Sequence, residues 1–232
     1  MTAGRVIALD ALGTLLELQA PAPLLVGELL ARGVEVSEEQ ASAALRAEIA
    51  FYRAHHDSAR DAASLAVLRE RCTGVLHDAL TASGATLGGI AREELRDALL
   101  AALRFRAYPE VPDALRGLRA AGHRLVVVSN WDVSLHDALR DTGLAPLVDA
   151  AISSAEAGAA KPDPRIFTRA LALTGGDATG ALHAGDSLQL DVAGAIAAGL
   201  RPVLVARAGR PAGIADGVAV IASLAELASL AA

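Results

Sequence analysis

The sequence predicts an α/β protein: a parallel sheet with helices on both faces, interrupted after its first strand by an all-helical insert. Three observations predict it. From about residue 109 onward, short apolar runs alternate with helical patterns, and such alternation produces parallel strands joined by crossover helices. One further apolar run, Arg5 to Leu9, stands alone near the start and ends on Asp10. Between the two lie roughly ninety residues of helical pattern, far too many for a structureless loop. The expected layout is a core of residues 1–16 and 109–232 with a small helical domain at 17–108.

Each element has its own signal. Arg5 to Leu9 reads as a buried strand, closed by Asp10 and a Gly-Thr turn. From about Pro21 to Arg106 the pattern is helical, and no strand is expected there. Ser37-Glu38-Glu39-Gln40 has capping-box spacing and opens a helix through about Arg53. Further helices are expected over Ala62 to Ala82 and Ala91 to Arg106. Pro112 to Ala121 is a helix with proline at its start and Gly122 past its end. Then follow a strand at Arg124 to Val128, a helix at Asp132 to Thr142 stopped by Gly143, and a weaker strand at Ala150 to Ser153. Asp163-Pro164 starts a helix that Gly175-Gly176 stops. Ala181 to Ala184 is a strand, Leu188 to Ala198 a helix ended by Gly199, Pro202 to Ala206 the last clear strand, and Ile221 to Leu230 a terminal helix.

Composition sets limits on function. The 232 residues are 53% apolar and 21% charged, enough for one full core plus a smaller lobe and unlike a disordered chain. The net charge is −6 with no Lys/Arg run, which argues against nucleic acid as a partner. A small anionic substrate remains compatible, because local positive groups outweigh the sum. The apolar run from Val6 to Leu16 is broken by Asp10 and too short to span a bilayer. Met1 to Leu9 has no charged leader before a long apolar stretch, so no signal peptide is expected. Cys72 is the only cysteine, which excludes an internal disulfide and fits a cytoplasmic location. Oligomeric state is not readable.

Candidate site residues fall where strands end. Ligands of open α/β sheets bind beyond the carboxyl ends of the strands, and Asp10, Ser129 and Asp186 each lie just past such an end. Asp10 alone reads either as a loop cap or as a reactive carboxylate. Thr14 alone is an ordinary turn residue. Ser129-Asn130 could hold an anion with backbone N–H groups entering the next helix, or simply cap that helix. Lys161 is the only lysine in a chain that otherwise uses arginine, as a site needing a compact ammonium would require. Asp186 and Asp191, across one strand-to-helix turn, can face one cation, and hard oxygen ligands suit Mg²⁺. Asp191 alone could be a helix-dipole acid. His55-His56 reads as a polar helix face, His183 as a packed core histidine, and Trp131 as pocket lining or core. Gly185 and Gly194 lack dinucleotide-binding spacing.

Taken together, four stretches resemble the haloacid dehalogenase (HAD) superfamily: Leu9-Asp10-Ala11-Leu12-Gly13-Thr14-Leu15, Val128-Ser129-Asn130-Trp131-Asp132, Ala160-Lys161-Pro162-Asp163, and Gly185-Asp186-Ser187 with Asp191-Val192-Ala193-Gly194-Ala195. The resemblance covers nearly the whole chain and implies a Rossmann-like parallel sheet with a small all-helical cap acting as a lid. It implies that Asp10 attacks an electrophilic phosphorus or carbon and forms a covalent ester. Thr14 and Ser129, with Asn130 beside it, would serve the transferred group, and Lys161 would neutralise Asp10 and developing charge. Asp186 and Asp191 would hold Mg²⁺ with Asp10 and the backbone carbonyl of Leu12. The candidate substrate contacts are Trp131, from its place after Ser129-Asn130, and Arg46.

One departure divides the functional reading. Phosphatases of the superfamily carry a second Asp two residues after the first, which protonates the leaving group; here that position is Leu12. The superfamily's 2-haloacid dehalogenases also lack it, and their cap arginine for the substrate carboxylate resembles Arg46, six before Tyr52, although a solvated helix face is the preferred reading of Arg46. The Gly185-Asp186-Ser187 stretch is instead phosphatase-like, since dehalogenases need no metal and usually carry Ser-Asn there. Phosphonoacetaldehyde hydrolases use a cap lysine, and this insert has none. The expected function is a Mg²⁺-dependent, phosphatase-like hydrolase acting on a small phosphorylated metabolite. The alternatives are a metal-independent 2-haloacid dehalogenase, or a binding or regulatory protein that keeps the fold with weakened turnover.

Overall fold

A computed structural model describes residues 4–209, 211, 213, 214 and 217–231. Residues 1–3 of the stretch read for a leader lie outside the described residues. In chain order the elements are strands β1 (Val6–Leu9) and β2 (Leu16–Leu18), helices α1 (Pro21–Leu30), α2 (Glu38–His55), α3 (Ala62–Ala82) and α4 (Arg92–Ala102), then β3 (Phe105–Ala107) and α5 (Val111–Ala120). There follow β4 (Arg124–Ser129), α6 (Leu135–Asp141), β5 (Ala150–Ser153), α7 (Ser154–Ala157), α8 (Pro164–Leu173), β6 (Leu182–Gly185), α9 (Ala193–Ala197), β7 (Arg201–Val205), β8 (Ala219–Ile221) and α10 (Leu227–Ala231).

The chain divides into two compact units, Met1–Glu17 with Ala107–Ala232, and Leu18–Arg106. The first unit carries a six-stranded sheet in the order β5-β4-β1-β6-β7-β8. Every pairing is parallel, with Leu9 opposite Val127 on one side and Ala184 on the other. Strands that face helices on both sides must be apolar throughout, and β1 and β4 are: Ile7, Ala8, Leu9 and Leu125 to Val128 are fully buried. The strand order reverses at β1, so the crevice at its carboxyl end opens between β4 and β6.

The second unit is built from α1 to α4. The helix α2 starts on the expected capping box, with Ser37 and Gln40 each bonding the other's backbone, and α3 starts on a second one, Asp61 with Ser64. Its core is Leu25, Leu29, Leu45, Leu68, Leu76, Leu95 and Leu99, each at most 2% exposed.

Several expectations need correction. The helical stretch does contain strand: Phe105–Ala107 pairs with Leu16–Leu18 in a small separate sheet. Three-residue strands are too short to display a period. The segment 188–198 is not one helix but a π turn at Leu188–Val192 followed by a short α-helix. Pro202 to Ala206 is not the last strand, because Ile221 closes β8 and only Leu227–Ala231 is α-helical after it. The helix expected from Asp132 begins at Leu135, so the residues after Ser129 are loop. His56 is buried, not on a polar face, and its Nδ1 lies 3.0 Å from Asp57 Oδ1.

Candidate active site

Four carboxyl-end segments of the first unit converge. Asp10 leaves β1 with its N–H still bonded to the Ala184 carbonyl at 2.9 Å, so sheet register carries through to the carboxylate. Ser129 is the last residue of β4, and its hydroxyl donates to Asp10 Oδ1 at 3.1 Å. Lys161 reaches in from the loop before α8. Its Nζ donates to Asp10 Oδ1 at 2.5 Å and to Asp191 Oδ1 at 2.6 Å. Asp10, Lys161 and Asp191 are all buried. Asn130 holds the Lys161 backbone at both ends, accepting from its N–H at 2.7 Å and donating to its carbonyl at 3.0 Å. The side-chain amide of Asn130 thus orients the lysine loop.

Local backbone choices aim the acids. The π turn at Leu188–Val192 is started by Ser187, whose hydroxyl accepts from Leu190 N–H at 3.2 Å. One extra residue in the turn swings Asp191 back toward the strand end, where its Oδ2 accepts from Ser187 N–H at 3.0 Å. Gly185 makes room for it: a Cβ there would stand 2.2 Å from Asp191 Cγ. Gly13 does the same for Asp186. It has φ +87°, and a Cβ would stand 2.2 Å from Asp186 Oδ2.

Oxygen atoms of Asp10, Asp186 and Asp191 lie within 4.8 Å of one another. Burial pushes the Asp10 carboxyl up to about 6, with Asp191 and Asp186 adding to the rise and the Lys161 ammonium opposing it. Burial and the Asp191 charge likewise raise Asp186. Burial alone would raise Asp191 as well, but the Lys161 ammonium and the His183 ring hold it well below the usual carboxylate range. Lys161 is raised despite its burial by Asp10 and Asp191. Three carboxylates share one ammonium, and two of them still resist ionisation. This hard-oxygen, positive-charge-deficient donor set fits Mg²⁺.

Among the remaining expected residues, Thr14 is fully buried, and its hydroxyl has no hydrogen-bond partner within the described protein. Leu12 is 37% exposed. Trp131 is buried; its indole N–H donates to Ser134 at 3.3 Å and its backbone N–H to Ser154 at 3.1 Å. Arg46 is exposed on α2, in the other unit.

Two residues escaped the sequence reading. His183 is packed in the core as expected, edge-on to Phe167 with centroids 4.8 Å apart, but its Nε2 also lies 2.9 Å from Asp191 Oδ1. A histidine within an otherwise apolar strand that ends on Gly-Asp was the available signal. Arg207, just after β7, bonds the Gly13 and Thr14 carbonyls; nothing in its neighbourhood in the sequence marks it.

A family model described as haloacid dehalogenase-like hydrolase matches residues 5–199. The chain belongs to this family. This haloacid dehalogenase-like hydrolase is 47% identical over 92 residues to the Bos taurus haloacid dehalogenase-like hydrolase domain-containing protein 3, covering 40% of this chain and 37% of that protein. It is 42% identical over 99 residues to a Caulobacter vibrioides phosphoglycolate phosphatase, covering 42% and 41%. The matched stretch thus spans about two fifths of these relatives' length. Among solved structures it is similar to a HAD phosphatase from Thermococcus onnurineus, with TM-score 0.66, 25% identity and 97% of both chains covered. The fold is also that of a Pseudomonas syringae 2-haloacid dehalogenase, with TM-score 0.67, 23% identity and 98% and 97% covered.

Proposed function

We propose that this hydrolase is a Mg²⁺-dependent phosphatase acting on a small phosphorylated metabolite, with Asp10 as covalent nucleophile. The observation that carries the reading is the meeting of Asp10, Asp186 and Asp191 within 4.8 Å. A metal-independent dehalogenase has no need of a third crowded acid. The phosphatase name of the Caulobacter vibrioides relative supports the same choice.

In this reading Asp10 attacks phosphorus, an aspartyl phosphate forms as the ester P–O bond breaks, and the electron pair leaves on the ester oxygen. Water then hydrolyses the acyl phosphate. Asp10, Asp186, Asp191 and the Leu12 carbonyl would hold Mg²⁺, which would supply positive charge against the phosphoryl oxygens. Lys161 keeps Asp10 oriented and offsets charge that develops on the transferred group. The Ser129 and Thr14 hydroxyls donate to that group, and the orphaned state of the Thr14 hydroxyl suits a donor awaiting a ligand. Asn130 keeps Lys161 in place. His183 fixes the rotamer of Asp191. The Leu18–Arg106 unit serves as the cap, with Arg46 and Trp131 as candidates for substrate contact, and the protein works in the cytoplasm, free of nucleic-acid or membrane partners.

One observation favours a second reading. Leu12 is apolar and partly exposed, so the loop offers no proton to a leaving group. A halide needs none, which suits a 2-haloacid dehalogenase. Assaying the purified protein on a phosphomonoester panel and on 2-chloropropionate, each with Mg²⁺ and with chelator, separates the two. Chelator-sensitive phosphate release is expected; chloride release that survives chelator would replace the phosphatase with the dehalogenase.

A further inference from the structure

Arg207, just after β7, makes three side-chain hydrogen bonds and a ring contact, and the chemistry above makes no use of it. Its side chain is 20% exposed. The guanidinium donates to the Gly13 carbonyl at 3.2 Å, the Thr14 carbonyl at 2.6 Å and Glu110 Oε1 at 2.7 Å. Its face lies 3.5 Å from the ring centroid of Tyr108. A planar fork stacked on an aromatic ring has little freedom left.

The peptide it grips is the turn after Asp10. Inside that turn the N–H groups of Thr14, Leu15 and Leu16 all point to the Ala11 carbonyl, at 3.3, 2.8 and 2.8 Å. The carbonyls of Gly13 and Thr14 face the other way, onto the arginine. Gly13 is also where the Asp186 carboxylate comes too close for any Cβ, and Thr14 carries the buried hydroxyl without a partner. One short peptide therefore meets both Asp186 and Arg207.

We propose that Arg207 is a positioning residue: by clamping the Gly13 and Thr14 carbonyls it sets where Asp186 and the Thr14 hydroxyl stand, and so sets cation affinity at the acid cluster. The proposal rests on the Mg²⁺-dependent reading. It also opposes simple electrostatics. As a mere nearby charge, Arg207 would weaken cation binding, and removing it would tighten the site. As a positioning residue its removal loosens the site. Arg207→Lys keeps the charge but cannot span two carbonyls and Glu110 in one plane.

The test titrates Mg²⁺ calorimetrically into the full chain and follows amide hydrogen exchange at Thr14, Leu15 and Leu16. Arg207→Met, made together with Glu110→Gln so that no carboxylate is left unpaired, is compared with Arg207→Lys and with Glu110→Gln alone. The first two should bind Mg²⁺ at least about tenfold more weakly and exchange those amides at least about tenfold faster, while β4 amides stay protected. Glu110→Gln alone keeps both carbonyl bonds and should match wild type within about twofold. If the double variant does not fold, Arg207→Lys decides. Unchanged exchange in the turn, or variant Mg²⁺ binding equal to or tighter than wild type, overturns the proposal. A wild type that binds no Mg²⁺ sinks the metal-dependent reading instead, and exchange in the turn then decides for or against the clamp by itself.

Discussion

The carboxylate of Asp186 occupies the space that any side chain on residue 13 would need, with a Cβ there standing 2.2 Å from Oδ2. Gly13→Ala must therefore displace Asp186 or the turn itself, and its φ of +87° adds strain. The expected outcome is loss of most Mg²⁺ affinity in a titration, with a stability cost of about 1 kcal/mol or more in urea unfolding. Full Mg²⁺ affinity in the variant would mean that Asp186 is not a ligand.

Asp10→Asn should reduce turnover to background, since an amide is a far poorer nucleophile than a carboxylate. The circular dichroism spectrum should be unchanged, because the Asp10 N–H bond to Ala184 and the sheet register do not depend on the side chain. Wild-type turnover by a folded Asp10→Asn protein would end the covalent mechanism.

Lys161 neutralises two buried carboxylates. Removing one member of a buried ion pair costs about 3–5 kcal/mol, so Lys161→Met should be strongly destabilised. Mg²⁺ should raise its Tm more than that of wild type, because the cation replaces the missing charge. Lys161→Arg keeps the charge but not the compact shape and should lose most of kcat. Equal kcat for Arg and Lys at this position would show that the ammonium has no special role.

Burial pushes the Asp10 carboxyl up to about 6, above its unfolded value of about 3.9. A raised carboxyl binds its proton more tightly in the folded state. Its contribution to stability is therefore full below about pH 4 and is lost as pH climbs through about 6. Mg²⁺ competes with that proton, so apparent Mg²⁺ affinity should rise about tenfold per pH unit up to about 6 and level off above it. Thermal melts at pH 5 and pH 7, with Mg²⁺ and with EDTA, read this directly. A Mg²⁺-induced Tm shift as large at pH 5 as at pH 7 would contradict it.

If the protein is a phosphatase, Leu12 cannot protonate the leaving group as a second Asp would. General acid catalysis contributes about 10²–10⁴-fold, so aryl phosphates should react slowly and alkyl phosphates hardly at all. Leu12→Asp should selectively speed the alkyl esters, with thermal stability measured alongside because the charge enters a close-set turn. Fast alkyl phosphate hydrolysis by wild type would mean that another residue supplies the proton.

The sheet and most of the site were legible because each left a local mark. Asp10, Ser129 and Asp186 follow short apolar runs, and Lys161 stands out as the lone lysine. What was illegible depends on distant partners. Arg207 bonds residues 194 and 193 positions away, and one arginine after one strand looks like any other. His183 was rightly placed in the core, yet its bond to Asp191 arises from a π turn that reads as ordinary helix. The two three-residue strands pair across the whole insert, with no period to announce them.

The central place of β1 in the sheet has a consequence for how the protein is made. Its two neighbours, β4 and β6, begin at Arg124 and Leu182. At translation rates of about 5–20 residues per second, β1 waits on the order of ten to thirty seconds before its second partner exists. Until β4 is made Val6–Leu9 is an unpaired apolar edge on both sides, and until β6 is made it is unpaired on one, the kind of segment that aggregates or recruits chaperones. Residues 18–106 can meanwhile collapse around short-range helical contacts, which form quickly. Asp10 is thus among the first residues synthesised, and the cluster of Asp10, Asp186 and Asp191 cannot assemble until β6 has docked.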